Sequence, residues 1–189
     1  SLLGQIGTLG RDFRGLGRDS ASVSIGFTNL SEGKVDKSGF NFGLGGNLSI
    51  IEDPDLFGFD VNAGYDFSKI KDYKHNTFGV GATPFLKVNQ YFKPYLQLNA
   101  GMANVKSGSN SDSESYFGFG LGFESEFTEQ FLISIGYAKD FIDSEDTNEF
   151  GGGVSYWFEN SLVLGLDVSF GSVQKSDTIN VEFSTGFAF

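Results

Sequence analysis

From Ser20 onward, apolar and polar residues alternate with a period of two in successive segments of about ten residues. Ten such segments run over approximately residues 20–29, 39–50, 57–68, 77–88, 95–105, 116–127, 131–140, 149–158, 162–170 and 178–189. Because successive side chains of a strand point to opposite faces, each segment predicts a β-strand with one apolar and one polar row. About ten strand residues tilted by ~45° also cross the apolar core of a bilayer. The pattern therefore predicts an all-β fold, either soluble or spanning a membrane.

The connections between these segments fall into two classes that take turns along the chain. Long polar connections are predicted over residues 30–38, 69–76, 106–115, 140–148 and 171–177, and short ones over 53–55, 90–94, 128–130 and 159–161. Pro54 and Pro94 lie in short turns, where a missing backbone N–H costs least. This alternation predicts an up-and-down antiparallel sheet whose two chain ends meet at the rim with the short turns.

The distribution of aromatic residues favours a lipid-facing apolar row. When the hairpins are laid antiparallel, one aromatic band lies level with the long connections and a second lies level with the short turns. The first comprises Phe67, Phe78, Phe117, Tyr137, Phe150 and Phe170, and the second Phe57, Phe127, Phe131, Tyr156, Phe158, Phe187 and Phe189. Two aromatic girdles around an aliphatic belt are typical of membrane barrels. Glycines concentrate on the polar row, where they relieve crowding inside a narrow barrel.

The last segment adds a resemblance to a known family. It reads Ile179, Val181, Phe183, Thr185, Phe187 and Phe189 at alternate positions. This ending resembles the C-terminal strand of bacterial outer-membrane β-barrel proteins. The resemblance implies a small porin-like transmembrane barrel of about 10 strands with periplasmic termini in the outer membrane. It also implies that the barrel-assembly machinery reads Phe187 and Phe189, and that outer-membrane lipid and lipopolysaccharide surround the barrel.

Strand 77–88 breaks the alternation. Phe85 and Leu86 follow Pro84 and are both apolar, so the parity of the strand changes there. A β-bulge over residues 83–85 would absorb the extra residue and the missing N–H of the proline. We therefore expect a bulge at this point.

Composition excludes several classes of function. The chain has no cysteine, which removes disulfides and thiolate chemistry, and its net charge of −11 makes nucleic acid an unsuitable partner. Acidic residues between 140 and 149 form no twelve-residue calcium loop, so no metal site and no cofactor are predicted. No secretory signal peptide is evident at the start, and we expect Ser1 to lie near the beginning of a processed or trimmed chain.

The polar row predicts an acidic barrel interior. Its carboxylates are Asp60, Asp66, Glu124, Glu126, Asp167 and Glu182, whereas Lys87 is its one clearly basic residue. Carboxylates in a confined space repel one another, so they must pair with cations, be protonated or be hydrated. This row predicts either a hydrated interior with no special role or a narrow, cation-preferring pore.

Residues 1–19 precede the first strand and are predicted to form an N-terminal periplasmic arm or a plug of the lumen, with residues 20–189 forming the barrel. Glycines make a free helix unfavourable in this arm, so it needs a surface to order it. Its cations Arg11, Arg14 and Arg18 match the lumen carboxylates in charge. We expect the arm either to enter the lumen and pair with these carboxylates, or to lie along the membrane or on a protein partner.

Three functions follow from these features. The first is a narrow pore plugged by the arm. The second is a non-conducting anchor or scaffold that holds a partner of a surface or secretion assembly through the arm or the outer wall. The third is an outer-membrane enzyme that uses His75 with the loop carboxylates Asp72, Asp143, Glu145 and Asp146. A lone histidine beside lysines is more typical of a solvated loop residue, so no enzymatic activity is predicted.

Overall fold

The computed structural model describes residues 15–32, 35–53, 56–71, 73–89, 91–107, 110–142, 146–173 and 176–189. These residues form ten β-strands that close into one barrel. The strands are β1 (Ser20–Glu32), β2 (Val35–Glu52), β3 (Phe57–Ile70), β4 (Tyr73–Leu86), β5 (Lys93–Ser107), β6 (Asn110–Glu126), β7 (Phe131–Ile142), β8 (Asp146–Trp157), β9 (Leu162–Val173) and β10 (Ser176–Ala188). The predicted all-β fold with ten strands is confirmed.

Each strand pairs antiparallel with its neighbours in the chain, and β1 closes the barrel by pairing with β10. The closing register runs from Ser20 opposite Ala188 to Ser31 opposite Asp177. The start of β1 and the end of β10 therefore lie at one rim, which we call the terminal rim. We call the opposite rim the hairpin rim. No described helix is long and apolar enough to cross a membrane.

The predicted lengths of the connections at the hairpin rim are wrong, whereas three of the four predicted short connections agree with the structure to within one residue. At the hairpin rim the strands continue through most of the polar segments: β1 and β2 stay paired as far as Glu32 opposite Val35, and β3 and β4 as far as Ile70 opposite Tyr73. At the terminal rim the connections are residues 53–56, 87–92, 127–130 and 158–161. Beyond the apolar belt both faces of a strand meet water, so the alternation disappears although the backbone pairing continues.

The two faces of the barrel wall match the predicted rows. Phe27, Phe78 and Phe117 are exposed on the outer wall, whereas Ser24, Thr77 and Glu124 are buried inside. Part of the aromatic band near the hairpin rim is continuous across three neighbouring strands. Tyr137 of β7 is opposite Phe150 of β8, and Phe150 is opposite Phe170 of β9. The outer wall is therefore apolar with aromatic bands, as the sequence predicts.

Strand β4 contains no bulge at Pro84, which corrects the prediction. The register with β3 runs unbroken through Phe59 opposite Pro84, and Phe85 points inward with 1% exposure while Leu86 points outward with 49%. On its other side β4 leaves a gap in the ladder at residues 83 and 84, so the missing proline N–H needs no partner. The register shift lies instead in β2, between Ser49 and Ile51.

Phe85 can point inward because the residue opposite it is Gly58. A Cβ atom on Gly58 would overlap the Phe85 ring. Phe85 and Leu86 therefore lie on opposite faces of the wall, and the Phe85 ring lies in the lumen.

Apolar side chains also occupy the interior near both rims. Leu132, Trp157 and Val163 cluster towards the terminal rim. Ala103, Tyr116 and Ile142 cluster towards the hairpin rim. Buried polar side chains, including Asn62 and Asn99, lie between these levels. The interior is therefore polar in its middle and partly apolar at each end.

Gly58→Ala is expected to destabilise the barrel, because the added methyl group must displace the Phe85 ring, at a cost of about 1–3 kcal/mol. Urea unfolding from lipid vesicles measures this change in free energy. Gly46→Ala is the matched control, since the nearest atom to its new Cβ would be 3.6 Å away. Equal stability of the two variants would contradict the packing of Phe85 over Gly58.

Candidate functional site

The residues that precede β1 form a tight turn inside the barrel at the terminal rim. The Arg18 N–H donates to the Gly15 carbonyl at 2.9 Å, and Gly17 has a φ of 81°. A positive φ at the third residue is the property of a type II β-turn and favours glycine at that position. We call residues 15–19 the arm turn.

Two buried carboxylates bind the amide groups of this turn. The Leu16 N–H lies 3.2 Å from Glu124 Oε1 and 3.4 Å from Oε2, and the Gly17 N–H donates to Asp60 Oδ2 at 3.0 Å. Glu124 is 0% exposed and Asp60 is 1% exposed. Because hydrogen bonds to a charged acceptor in a water-poor site are strong, these carboxylates hold the turn from β6 and from β3.

Asn47 of β2 connects Asp60 to the arm turn. Its Nδ2 group donates to Asp60 Oδ2 at 3.1 Å and to the Arg18 carbonyl at 3.0 Å. Nearby, the Ser49 N–H donates to Asp19 Oδ1 at 2.7 Å. The backbone and side chains of the arm turn are therefore bound by residues of the barrel wall on several sides.

Arg18 is the cation of the arm turn. Its guanidinium donates to Glu126 Oε1 at 2.8 Å and to the Glu129 carbonyl at 3.0 Å, and lies 4.8 Å from the centre of the Trp157 ring. Gly15 packs on the same ring, where a Cβ atom would overlap it. Trp157 therefore supports both the cation and the backbone of the arm turn.

A second cation, Lys93, completes the cluster. Its Nζ atom lies 2.8 Å from Glu126 Oε1, so that one carboxylate serves both Lys93 and Arg18. Lys93 falls in the predicted short turn over residues 90–94, so the sequence pattern did not predict it as a site residue. The alternation alone indicates that its side chain points inward, because Lys93 is two residues before Tyr95 and four before Gln97, and both of these lie on the inward row. We call Asp60, Lys93, Glu124 and Glu126 the rim cluster.

The other predicted lumen carboxylates lie elsewhere in the interior. Asp66, Asp167 and Glu182 are half-buried. Glu182 lies opposite Asp167 in the β9–β10 ladder and accepts a hydrogen bond from Asn41 Nδ2 at 2.9 Å. The structure thus brings three of the six predicted carboxylates to the arm turn and leaves three along the barrel.

The predicted arginines divide in the same way. Arg18 pairs with Glu126, as described, whereas Arg11 and Arg14 lie outside the described residues. Lys87, the predicted basic residue of the lumen, is half-buried and directly follows the last residue of β4. That the arm plugs the lumen and that Phe187 and Phe189 act as an assembly signal stay predictions.

The interpretation of His75 as a solvated loop residue is wrong. His75 belongs to β4, points into the barrel and is 8% exposed. Asp146 is exposed in β8 and lies 3.2 Å from Lys139 Nζ. Asp72, Asp143 and Glu145 lie outside the described residues. Among the residues that are described, no group of three or more His, Asp or Glu side chains is arranged to hold a metal ion.

Comparison with solved structures identifies similar barrels. The chain resembles the β domain of the Bordetella autotransporter BrkA, with 8% identity, a TM-score of 0.52 and coverage of 91% of this chain and 100% of that one. It resembles the transport unit of the Escherichia coli autotransporter AIDA-I, with 10% identity, a TM-score of 0.51 and coverage of 100% and 95%. Ail of Yersinia pestis matches with 16% identity, a TM-score of 0.45 and coverage of 93% and 100%.

Similarities at this level of identity describe the fold. No curated protein matches the sequence. The similar structures include autotransporter barrels.

The sequence itself matches a family model. The model for the outer membrane protein beta-barrel domain covers residues 12–170, which is most of the chain. The match agrees with the closed barrel, the apolar outer wall and the aromatic bands. The terminal rim accordingly faces the periplasm and the hairpin rim faces the outside. This chain belongs to the family of bacterial outer-membrane β-barrel proteins.

Proposed function

We propose that this protein is a narrow, cation-preferring pore whose periplasmic end is closed by its own arm turn. The observation that carries the proposal is the binding of the Leu16 and Gly17 amides by Glu124 and Asp60 inside the barrel. A segment held in this way fills the terminal end of the lumen and closes it to ions.

The chemistry of these contacts supports closure that can be reversed. Burying a carboxylate costs several kcal/mol unless hydrogen bonds or a cation compensate its charge. Each hydrogen bond to a charged group contributes about 1.5–3 kcal/mol. When the arm turn leaves, Glu124 and Asp60 lose their amide partners but gain water. Rehydration offsets part of the lost binding, so the closed and open states differ less in free energy than the number of contacts suggests.

Release of the arm turn would also change the charge of the periplasmic mouth. Arg18 leaves with the turn, so that among the described residues of the wall Lys93 is the cation that stays paired with Glu126. An excess of carboxylates at a constriction attracts cations and excludes anions. Asp66, Asp167 and Glu182 continue the acidic lining along the interior.

A second function is favoured by the apolar residues of the interior. The Leu132–Trp157–Val163 and Ala103–Tyr116–Ile142 clusters lie at two levels of the lumen. Side chains of this size fill the cross-section of a small barrel without the arm. On this second proposal the barrel conducts nothing and anchors a protein partner through the arm or the outer wall.

Removal of residues 1–18 is expected to convert a mostly closed protein into one with steady openings, because the arm turn no longer fills the mouth. Single-channel recording in planar bilayers measures the change. The matched control is a chain that begins at Gly15, which retains the arm turn and should remain mostly closed. Silence of both shortened chains would reject the pore and favour the anchor.

In the chain without residues 1–18, Glu124→Gln with Glu126→Gln is expected to weaken the preference for K⁺ over Cl⁻. The two substitutions remove both carboxylates that β6 contributes to the rim cluster. The reversal potential in a KCl gradient should move towards zero, with the open state retained. Asp177→Asn is the control, because it removes one negative charge from an exposed residue near the hairpin rim. An unchanged reversal potential would show that the rim cluster does not select the ion.

A further inference from the structure

Three lysines stand side by side on the outer wall near the hairpin rim. Lys69 of β3 is directly opposite Lys74 of β4, and Lys74 is directly opposite Lys106 of β5. All three are exposed, and their neighbours Ser68, Ile70 and His75 are buried in the barrel. They are three of only 13 cationic residues in a chain with 24 acidic ones, so their alignment needs a physical reason. We call them the lysine row.

The lysine row lies just above the apolar belt. Two positions closer to the membrane centre on the same outer face are Phe67, Asn76 and Asn104, and the next pair is Phe78 and Met102 on β4 and β5. Phe78 and Met102 are exposed. Two residues span about 7 Å along a strand, and the tilt of the strands makes the corresponding height along the barrel axis smaller. Along β4 and β5 the order is therefore apolar, then amide, then lysine, which matches the passage from acyl chains to headgroups.

Within the protein, nothing described neutralises this row. No ion pair joins Lys69, Lys74 or Lys106 to an acidic residue of the described part of the chain. Ser111 is opposite Lys106 on the far side, and Phe40 is opposite Lys69. Lys139, on the outer wall of β7, differs because Asp146 lies 3.2 Å away and the Phe141 ring lies 4.9 Å from its Nζ atom.

Like charges directly opposite in a sheet destabilise it, because their Cα atoms are only about 4.5–5.5 Å apart. The repulsion disappears when an anion binds between the side chains. Three ammonium groups along one row, each with three donors, match an acceptor with several oxygens, and the phosphate group is such an acceptor.

We propose that the lysine row binds the phosphate groups of a lipid in the outer leaflet. The lipid is the phosphorylated lipid portion of lipopolysaccharide. The position of the row selects a lipid rather than a dissolved anion. Phe78 and Met102 offer an apolar surface for acyl chains directly below the headgroup contact. The barrel would thus hold a lipid at one side of its wall, across β3, β4 and β5. This proposal is independent of whether the barrel conducts.

The test compares the full chain with the variant Lys69→Gln, Lys74→Gln, Lys106→Gln in detergent. The probe is purified lipid A with both phosphates, titrated by native mass spectrometry. We expect the triple variant to bind at least about tenfold more weakly, since each lysine near an anionic membrane surface contributes about a factor of five. Lys139→Gln is the matched control and should bind like the full chain, because Asp146 already neutralises that lysine.

Two further probes separate the sources of the anion. Lipid A from which the phosphates have been removed should bind to the full chain as weakly as diphosphorylated lipid A binds to the triple variant. Inorganic phosphate should not replace the lipid. Equal binding of intact lipid A by the full chain and the triple variant would overturn the proposal, as would saturation of the row by inorganic phosphate alone.

Thermal stability provides a second readout. Without lipid, the triple variant should be as stable as the full chain or more stable, because the repulsion within the row is removed. Added lipid A should raise the melting temperature of the full chain and leave that of the triple variant unchanged. A triple variant that is less stable in lipid-free detergent would show that the lysines are paired within the protein, which would also contradict the proposal.

Discussion

The pairing of backbone hydrogen-bonding groups is the constraint on which the rest of this structure depends. Inside a bilayer no water is present to satisfy an N–H or C=O group, so an open sheet edge is not tolerated. The β1–β10 ladder removes both edges. Once the sheet is closed with ten strands, its interior is narrow, and each inward side chain must fit beside those of all the other strands. The position of Phe85 over Gly58 is one result of this crowding.

The narrow interior also explains how a short segment can act at the terminal rim. A single β-turn, with a cation and two amide groups, is large enough to contact β2, β3 and β6 together through Asn47, Asp60 and Glu124. Buried carboxylates are costly in such a site, and the amide groups of the arm turn compensate Glu124 and Asp60.

Charge is sorted between the two faces of the wall. Carboxylates predominate inside, where Arg18 and Lys93 compensate those at the terminal rim. The lysine row lies outside at the opposite rim, in the zone where a membrane barrel meets lipid headgroups. The separation is possible because neighbouring residues of a strand face opposite media: Lys74 is exposed on the wall and His75, the next residue, is buried in the lumen.

The sequence by itself determined the strand number, the apolar outer wall and the inward direction of the carboxylates, because a period of two is a local property that needs no knowledge of distant residues. It did not determine the strand ends at the hairpin rim, where solvated strands lose their alternation, or the direction of Phe85, which depends on Gly58 in another strand. The tertiary structure alone decided which residues meet. Arg18, Lys93 and Glu126 are distant in the chain, and Lys69, Lys74 and Lys106 align only through the register of three strands, because register is set by closure of the whole barrel.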